Sequence, residues 1–355
     1  MVHGLKTLAS RLVWGSLLLS LPFGATAKAA DSEADFYKGK QVNVIVPTTP
    51  GARYDLFARL VATYMPRHIP GTPTFVVQNM GGAGGLVAAN YMANVAPRDG
   101  TVIGNAISST PTAPLLSPGG AQFDVNKFSW LGSISKETLV GYVWHTSKIM
   151  TLDDLKTKEA AFGGNAIGAA SIDYAVYARD FMGLKLKVIP GYPNPVDTKL
   201  AMERGELDGT FANSWGDLNS SEPNWVPEGK VRVFTQFGLQ KNPELPNVPM
   251  FYDLVKSESD RQALELLLAR QEFSMPFYMP PEVPAARLQV MRAAFDATIN
   301  DPEFLGAAKK AKLNVVNPMN GVELQALVKK VSSTPDAVVK NVLKTFNDFN
   351  NTNKK

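Results

Sequence analysis

The stretch VNVIVPTTPGARYDLFARLVATYM, residues 42–65, predicts how this chain begins to fold. Its first five residues are a largely apolar, β-branched run typical of a buried strand, and a turn containing proline and glycine follows. After the turn, large apolar residues recur at helical spacing: Leu56, Phe57, Leu60, Val61, Tyr64 and Met65. The stretch is therefore a strand, a turn and a helix, with Arg53, Tyr54 and Asp55 in the first helical turn.

The composition indicates a globular protein. Of 355 residues, 45% are hydrophobic and 19% are charged, and this length favours two domains that each have a core. The sequence contains no cysteine, which excludes disulfides, thiolate nucleophiles, zinc–thiolate sites and iron–sulfur clusters. The formal net charge is +4 and the basic residues are scattered, so the charge pattern does not point to a nucleic acid partner.

The N-terminus has the pattern of a secretory signal peptide. Lys6 and Arg11 precede the apolar run LVWGSLLLSLPFGA, and ATAKA then offers small residues at the spacing of a cleavage site. We predict a signal peptide over 1–27, with Ala29 as a second possible cleavage position; the alternative is an apolar anchor that is kept. Cleavage after Ala27 would lower the net charge from +4 to +2. Without a cysteine for lipid attachment, the expected location is the periplasm.

Beyond the signal peptide, strand-like and helix-like segments alternate in two sets. The predicted strands are 41–48, 74–80 and 101–107 in the first set, and 160–164, 186–192 and 207–213 in the second. Helices between successive strands imply right-handed crossovers and largely parallel sheets. We therefore predict an α/β protein with two lobes, 36–135 with 250–355 and 136–249. The segment 130–144 and the strand 231–238 are predicted to cross between them.

Three loops rich in small residues lie between a predicted strand and a helix: PTTPGARYD, QNMGGAGGL and FGGNAIGAAS. Helix N-termini present unpaired N–H groups and partial positive charge, so each loop could bind a carboxylate or a phosphate. GGAGGLV has Val87 where a dinucleotide-binding motif needs its third glycine, and no G-K-[ST] sequence follows any glycine-rich turn. The sequence therefore argues against a nucleotide cofactor, and QNMGGAGG can equally be a tight packing turn.

The histidines give little material for catalysis or metal binding. The chain has His3, His68 and His145, of which the first is lost with the signal peptide. The other two lie in unrelated contexts, and neither G-x-S-x-G nor H-E-x-x-H occurs. We predict no catalytic residue, no metal site and no cofactor.

Four stretches together resemble a known family, the Bug (TctC-like) substrate-binding proteins of tripartite tricarboxylate transporters. They are 42–65, 76–104 with its QNMGGAGG and APRDGTVIG, 161–183, and MERGELDG at 202–209. The resemblance covers nearly all of the mature chain. It implies a periplasmic binding protein fold of the type II kind, with a small carboxylated ligand in the cleft between the lobes. The first turn of one helix from each lobe would hold that ligand.

The first loop matches the family pattern only in part. The family usually has two glycines, a small residue, a Ser or Thr and then Asp, so Asp55 matches while Arg53 and Tyr54 depart from it. Arg53 could bind a carboxylate through two charged hydrogen bonds, and Tyr54 could offer its ring and hydroxyl. The alternatives are an Arg53 in solvent, a Tyr54 packed on its own helix, and an Asp55 that only caps the helix.

The second loop has Ala169 and Ala170 before Ser171, where the family usually has Ser or Thr. Backbone N–H groups survive this change but hydroxyl donors are lost, which favours a less polar ligand or one with fewer carboxylates. By the resemblance, Ser108 and Ser109 after a strand of the first lobe would lie near the ligand.

Two residues at a strand end of the second lobe complete the predicted site. Asn213 ends the strand 207–213 and Trp215 follows it, and Trp215 could stack on an aromatic ligand or pack against the hinge. We predict a monomeric periplasmic protein that delivers a small organic acid to membrane permease subunits. The alternatives are a secreted enzyme using Asp55 or Asp173 as a base, and a ligand-binding component for a sensor kinase.

Overall fold

A computed structural model describes Met1 and residues 33–117, 119–165, 167–193 and 195–353. Within these residues the chain forms two mixed sheets flanked by helices, one in each of two lobes. The predicted signal peptide and its cleavage site lie outside the described residues, apart from Met1. No helix in the described ranges combines the length and the apolar character that a bilayer crossing needs.

The first sheet is built around the strand that the opening stretch predicts. In the described residues its order is β11-β4-β10-β3-β1-β2. β1 pairs parallel with β2 on one side and with β3 on the other, so that Val44 lies opposite both Val77 and Ile103. The antiparallel strand β10 separates β3 from β4. The strands are β1 Gln41–Val46, β2 Thr74–Asn79, β3 Val102–Asn105, β4 Ser129–Ser133, β10 Pro276–Met279 and β11 Met319–Asn320.

The second sheet has the order β7-β6-β8-β5-β9 in the described chain. β6 pairs parallel with β7 and β8, whereas β5 runs antiparallel to both β8 and β9. The strands are β5 Leu139–Trp144, β6 Ala160–Gly163, β7 Leu186–Ile189, β8 Gly209–Ser214 and β9 Val231–Phe237. The predicted two-lobed α/β architecture with mixed sheets is confirmed, but the described strands are parallel only within the sets β1–β3 and β6–β8, and their other pairings are antiparallel.

The helices connect and cover these sheets. Their bounds are α1 Arg53–Tyr64, α2 Leu86–Asn94, α3 Ala113–Leu116, α4 Ala170–Met182, α5 Pro195–Glu203, α6 Trp215–Ser221, α7 Glu258–Glu272, α8 Ala285–Ile299, α9 Pro302–Lys310, α10 Gly321–Ser332 and α11 Asp336–Asn353. In the first lobe α1 buries Phe57 and Val61 against the side chains of β1. In the second lobe α4 buries Tyr174 and Tyr177 in a core with Phe211.

The chain crosses between the lobes directly after β4. Residues 134–138 connect β4 to β5, and the Glu137 N–H donates to the Gln271 carbonyl at 3.0 Å. The predicted second crossing strand is wrong, because β9 lies wholly within the second sheet, paired with β5. The chain returns instead through α7 and residues 273–275, where the Ile134 N–H donates to the Met275 carbonyl at 3.0 Å.

Two helices of the last third contribute to the cores of both lobes. On α7, Leu264 and Leu267 pack with the second-lobe core, whereas Leu266 packs with the first-lobe cluster around Trp130. On α11, Val342 and Phe346 join the second-lobe core, whereas Val339 joins the cluster around Trp130. The predicted lobe boundaries, 36–135 with 250–355 and 136–249, stay a prediction.

Candidate functional site

The loop before α1 is held by the buried carboxylate of Asp55. Its side chain is 1% exposed and accepts hydrogen bonds from the Gly51 N–H at 2.8 Å, from Asn79 Nδ2 at 2.9 Å and from the Arg59 guanidinium at 2.9 and 3.0 Å. Burial alone would raise the pKa of Asp55, but the hydrogen bonds from Arg59, Gly51 and Asn79 outweigh it and lower the pKa to about 2. Asp55 therefore shapes the loop with its carboxylate already occupied.

The loop before α4 is built in the same way around Asp173. This carboxylate is fully buried, accepts a hydrogen bond from the Gly168 N–H at 2.8 Å and pairs with Arg270 Nη2 at 2.9 Å. Arg270 Nη1 also donates to the Gly168 carbonyl at 2.8 Å. Burial raises the pKa of Asp173 while Arg270 opposes the rise. Gly51 and Gly168 both have positive φ, 82° and 97°, which glycine adopts most readily.

Both of these helices begin without a side-chain cap. The N-cap residues are Ala52 for α1 and Ala169 for α4, and alanine has no oxygen to accept a first-turn hydrogen bond. The N–H groups of Arg53, Tyr54 and Asp55 in α1, and of Ala170 and Ser171 in α4, donate to no described residue. Four other helices are capped by the side chains of Ser214, Ser257, Asp301 and Asn320, whereas α2, α3 and α8 also lack a side-chain cap. The uncapped starts of α1 and α4 keep their donors free for a ligand.

A cavity of about 260 Å³ lies against the start of α4, and we call it the α4 cavity. Of the predicted site residues, Asn213 lines it together with Ala169, Ala170 and Ser171. The Ser171 hydroxyl accepts a hydrogen bond from the Asn165 N–H at 3.3 Å. Asn213 Nδ2 donates to the Tyr142 hydroxyl at 3.0 Å, and its Oδ1 accepts from the Ser214 N–H at 2.9 Å. These bonds fix the polar wall of the cavity before any ligand arrives.

Ser108 and Tyr54 are in direct contact. The Ser108 N–H donates to the Tyr54 hydroxyl at 3.1 Å, so that one backbone donor of the first lobe is already used. Tyr54 is half-buried and packs beside the first-lobe core, and burial raises its pKa. Ser109 lies instead on a second cavity of about 340 Å³, the interlobe cavity, which Gly168 and α11 also line.

Arg53 faces a residue that the sequence analysis missed. Arg53 Nη1 lies 3.7 Å from Glu137 Oε1, and the two side chains are 40% and 28% exposed. Glu137 also lines the α4 cavity, so it links the start of α1 to the start of α4. The sequence signal that could have identified Glu137 was the presence of an acidic residue within the predicted crossing segment 130–144. Arg270 carried no local signal, because its partner Asp173 lies far away in sequence.

Trp215 is not among the residues that line the α4 cavity. Its indole N–H donates to Glu244 Oε2 at 2.6 Å, and its backbone N–H donates to the Thr138 carbonyl at 2.9 Å. Its ring packs beside a second-lobe cluster that includes Leu218. Among the described residues no group of three or more His, Asp or Glu side chains is arranged to hold a metal ion.

Comparisons with known proteins identify the family. No known protein-family profile matches the chain. The chain is 34% identical over 244 residues to BugT of Bordetella pertussis, a match that spans 65% of this chain and 71% of BugT.

Among solved structures, the chain superposes on a TctC solute-binding protein from Polaromonas that was solved without ligand. The TM-score is 0.67 and the identity 16%, and the match covers 87% of this chain and 99% of the Polaromonas protein. MatC from Rhodopseudomonas palustris, solved with malate, gives a TM-score of 0.55, 18% identity and coverage of 84% and 99%. The chain belongs to the Bug family of TctC-like solute-binding proteins.

Proposed function

We propose that this protein captures a small organic acid between its lobes in the periplasm and delivers it to a tripartite tricarboxylate-type permease. Membership of the Bug family and the two-lobed fold support the proposal. The bound malate of MatC, a protein of the same fold, gives an example of a small dicarboxylate as ligand. The protein would act as a monomer and without a cofactor.

The observation that carries the proposal is the pair of uncapped helix starts. Each start offers free N–H groups and the positive end of a helix dipole, which stabilise a carboxylate. Alanine at both N-cap positions removes the side-chain oxygen that would compete with a ligand oxygen for those donors. A ligand carboxylate at Ala170 and Ser171 would lie inside the α4 cavity, whose volume suits a ligand smaller than a drug-like molecule.

Arg53 would add a charged hydrogen bond from the first lobe. Its guanidinium is exposed and lies beside Glu137, which lines the α4 cavity. A ligand that contacts the starts of both α1 and α4 would bind more tightly when the lobes are closed. Such differential contacts would shift the population from open to closed lobes.

Asp55 gives little support to the alternative of an enzyme. Its carboxylate is buried, hydrogen-bonded to three residues and has a pKa lowered to about 2, so it is a poor general base at neutral pH. Asp173 is paired with Arg270 at 2.9 Å and is equally enclosed. Both carboxylates are therefore engaged in an ion pair with an arginine, which favours the charged form over proton uptake.

A ligand screen tests the binding proposal. Thermal shifts would be measured with mono-, di- and tricarboxylic acids, and each acid would be paired with its neutral amide as a ligand control. We expect at least one acid to raise the melting temperature in proportion to the logarithm of its concentration, and its amide to have little effect. Equal shifts from acids and amides, or no shift from any acid, would contradict the proposal.

Export has a separate test. If the predicted signal peptide is removed, the mature protein in a periplasmic extract should begin at Lys28 or Ala30, which N-terminal sequencing would read directly. A soluble fraction that still carries Met1 would refute this part of the proposal.

A further inference from the structure

Among the described residues that line the α4 cavity, Glu137 is the one acid. It lies in the crossing segment 134–138, and its backbone N–H is held by the Gln271 carbonyl at 3.0 Å. Its side chain is 28% exposed and lines the α4 cavity together with Ala170 and Ser171. The cavity therefore has a positive end at the start of α4 and a negative side at Glu137.

The Glu137 carboxylate is poorly satisfied by the protein. Its contact with Arg53, at 3.7 Å, is too long for a hydrogen bond, and no other described residue donates to its side chain. Neighbouring cations have other partners: Lys136 lies 3.1 Å from Glu272, and Arg270 pairs with Asp173. A solvent-accessible ion pair of this length contributes little to folding, so stability does not account for an acid in this place.

We propose that Glu137 determines ligand specificity by binding a cationic amino group, so that the preferred ligands are amino-substituted carboxylic acids. This inference rests on the proposed carboxylate-binding function. The ligand carboxylate binds the N–H groups at the start of α4, and its ammonium group donates to Glu137. An ammonium group has three donors and suits a carboxylate that lacks hydrogen bonds. A plain dicarboxylate would instead bring a like charge close to Glu137.

The test compares acids that differ only in the amino group. L-glutamate and glutarate, L-aspartate and succinate, and L-alanine and propionate form three such pairs, measured by titration calorimetry. We expect the amino acid to bind about tenfold tighter, or more, in every pair that binds. Glu137→Gln should weaken the binding of the amino acids by a similar factor. The binding of the plain acids should stay unchanged or become tighter.

Glu282→Gln is the matched control. Glu282 is also paired with an arginine, Arg98. It lies in the loop after β10, which is at the N-terminal ends of β1 and β3 because β10 runs antiparallel to β3. The proposed site lies at the other end of these strands. This variant loses the same charge and should bind both members of every pair as the unaltered protein does. A melting temperature for ligand-free Glu137→Gln close to that of the unaltered protein would separate recognition from folding.

The outcomes distinguish this inference from the proposed function. Plain acids that bind as tightly as their amino counterparts, or a preference that persists in Glu137→Gln, overturn the role of Glu137 but leave carboxylate binding intact. Binding of neither set, nor of any acid in the wider screen, overturns both proposals. If Glu137→Gln does not fold, the absence of a preference for amino acids in the unaltered protein still overturns the role of Glu137.

Discussion

Asp55 and Asp173 occupy matching positions in the two lobes. Each buried carboxylate accepts a 2.8 Å hydrogen bond from a glycine N–H in the loop before its helix, Gly51 in one lobe and Gly168 in the other. Each also pairs with one arginine at 2.9 Å. The first-turn acids therefore hold the loops in shape and leave the helix N–H groups free, which explains how alanine can serve as N-cap at both starts.

Asp55→Asn should lower the free energy of unfolding by about 2 to 3 kcal/mol at neutral pH. The substitution removes a charged acceptor that three residues share, and a hydrogen bond to a charged group contributes roughly 1.5 to 3 kcal/mol. Urea denaturation would measure the change. Asp153→Asn is the control, because its side chain is 74% exposed, and it should change stability by no more than about 0.5 kcal/mol. Equal effects from the two substitutions would contradict the structural role of Asp55.

The contribution of Asp55 should depend on pH in a defined direction. Its pKa is about 2 in the folded protein, below the value of about 3.9 expected in an unfolded chain, so the stabilisation is present above that unfolded value. It should be lost as the pH falls from about 4 to about 2, and roughly half should remain at about pH 3. The measurement is the difference in unfolding free energy between wild type and Asp55→Asn across this range. A difference in unfolding free energy that stays constant down to pH 3 would contradict the lowered pKa of Asp55.

Tyr54→Phe should lower stability by about 1 kcal/mol, because the Ser108 N–H loses its acceptor. Tyr64→Phe provides a control on the same helix. Tyr64 is also half-buried, and its hydroxyl has no hydrogen-bond partner among the described residues. Chemical denaturation should give a lower unfolding midpoint for Tyr54→Phe than for Tyr64→Phe. Indistinguishable midpoints would mean that the contact with Ser108 does not contribute to stability.

The fold could be predicted because its signals are local. The apolar run that becomes β1 and the helical spacing from Leu56 to Met65 each lie within one element, and the alternation of strands with helices implies parallel sheets. The error at β9 arose because an edge strand and a crossing strand have the same local pattern. β9 pairs with β5 along its length, and this non-local pairing decided its place.

The candidate site could be predicted only in part. Glycine and alanine in the loops before α1 and α4 indicated two helix starts, but the pairing of Asp173 with Arg270 joins residues that no local pattern connects. Glu137 was missed for a related reason. Its significance depends on the cavity that the start of α4 forms beside the crossing segment, and that cavity exists only in the folded protein.

Arg53→Ala should weaken binding of the tightest organic acid by roughly tenfold to a hundredfold, because a desolvated charged hydrogen bond contributes on the order of 1.5 to 3 kcal/mol. The melting temperature of the ligand-free protein should change little, since Arg53 is exposed and its contact with Glu137 is long. Arg98→Ala, at a comparably exposed arginine, is the control. Ser171→Ala should cost less than Arg53→Ala because the backbone donors of α4 remain. If calorimetry finds that the affinity of Arg53→Ala for the acid is within about twofold of the wild-type affinity, Arg53 does not contact the ligand and faces solvent.

The most direct test of the account is a crystal structure with the tightest-binding acid. We expect carboxylate oxygens within about 3.2 Å of the N–H groups of Ala170 or Ser171 on α4, and of Tyr54 or Asp55 on α1. A ligand in the interlobe cavity beside Ser109 and α11, with both helix starts still open to solvent, would contradict the account.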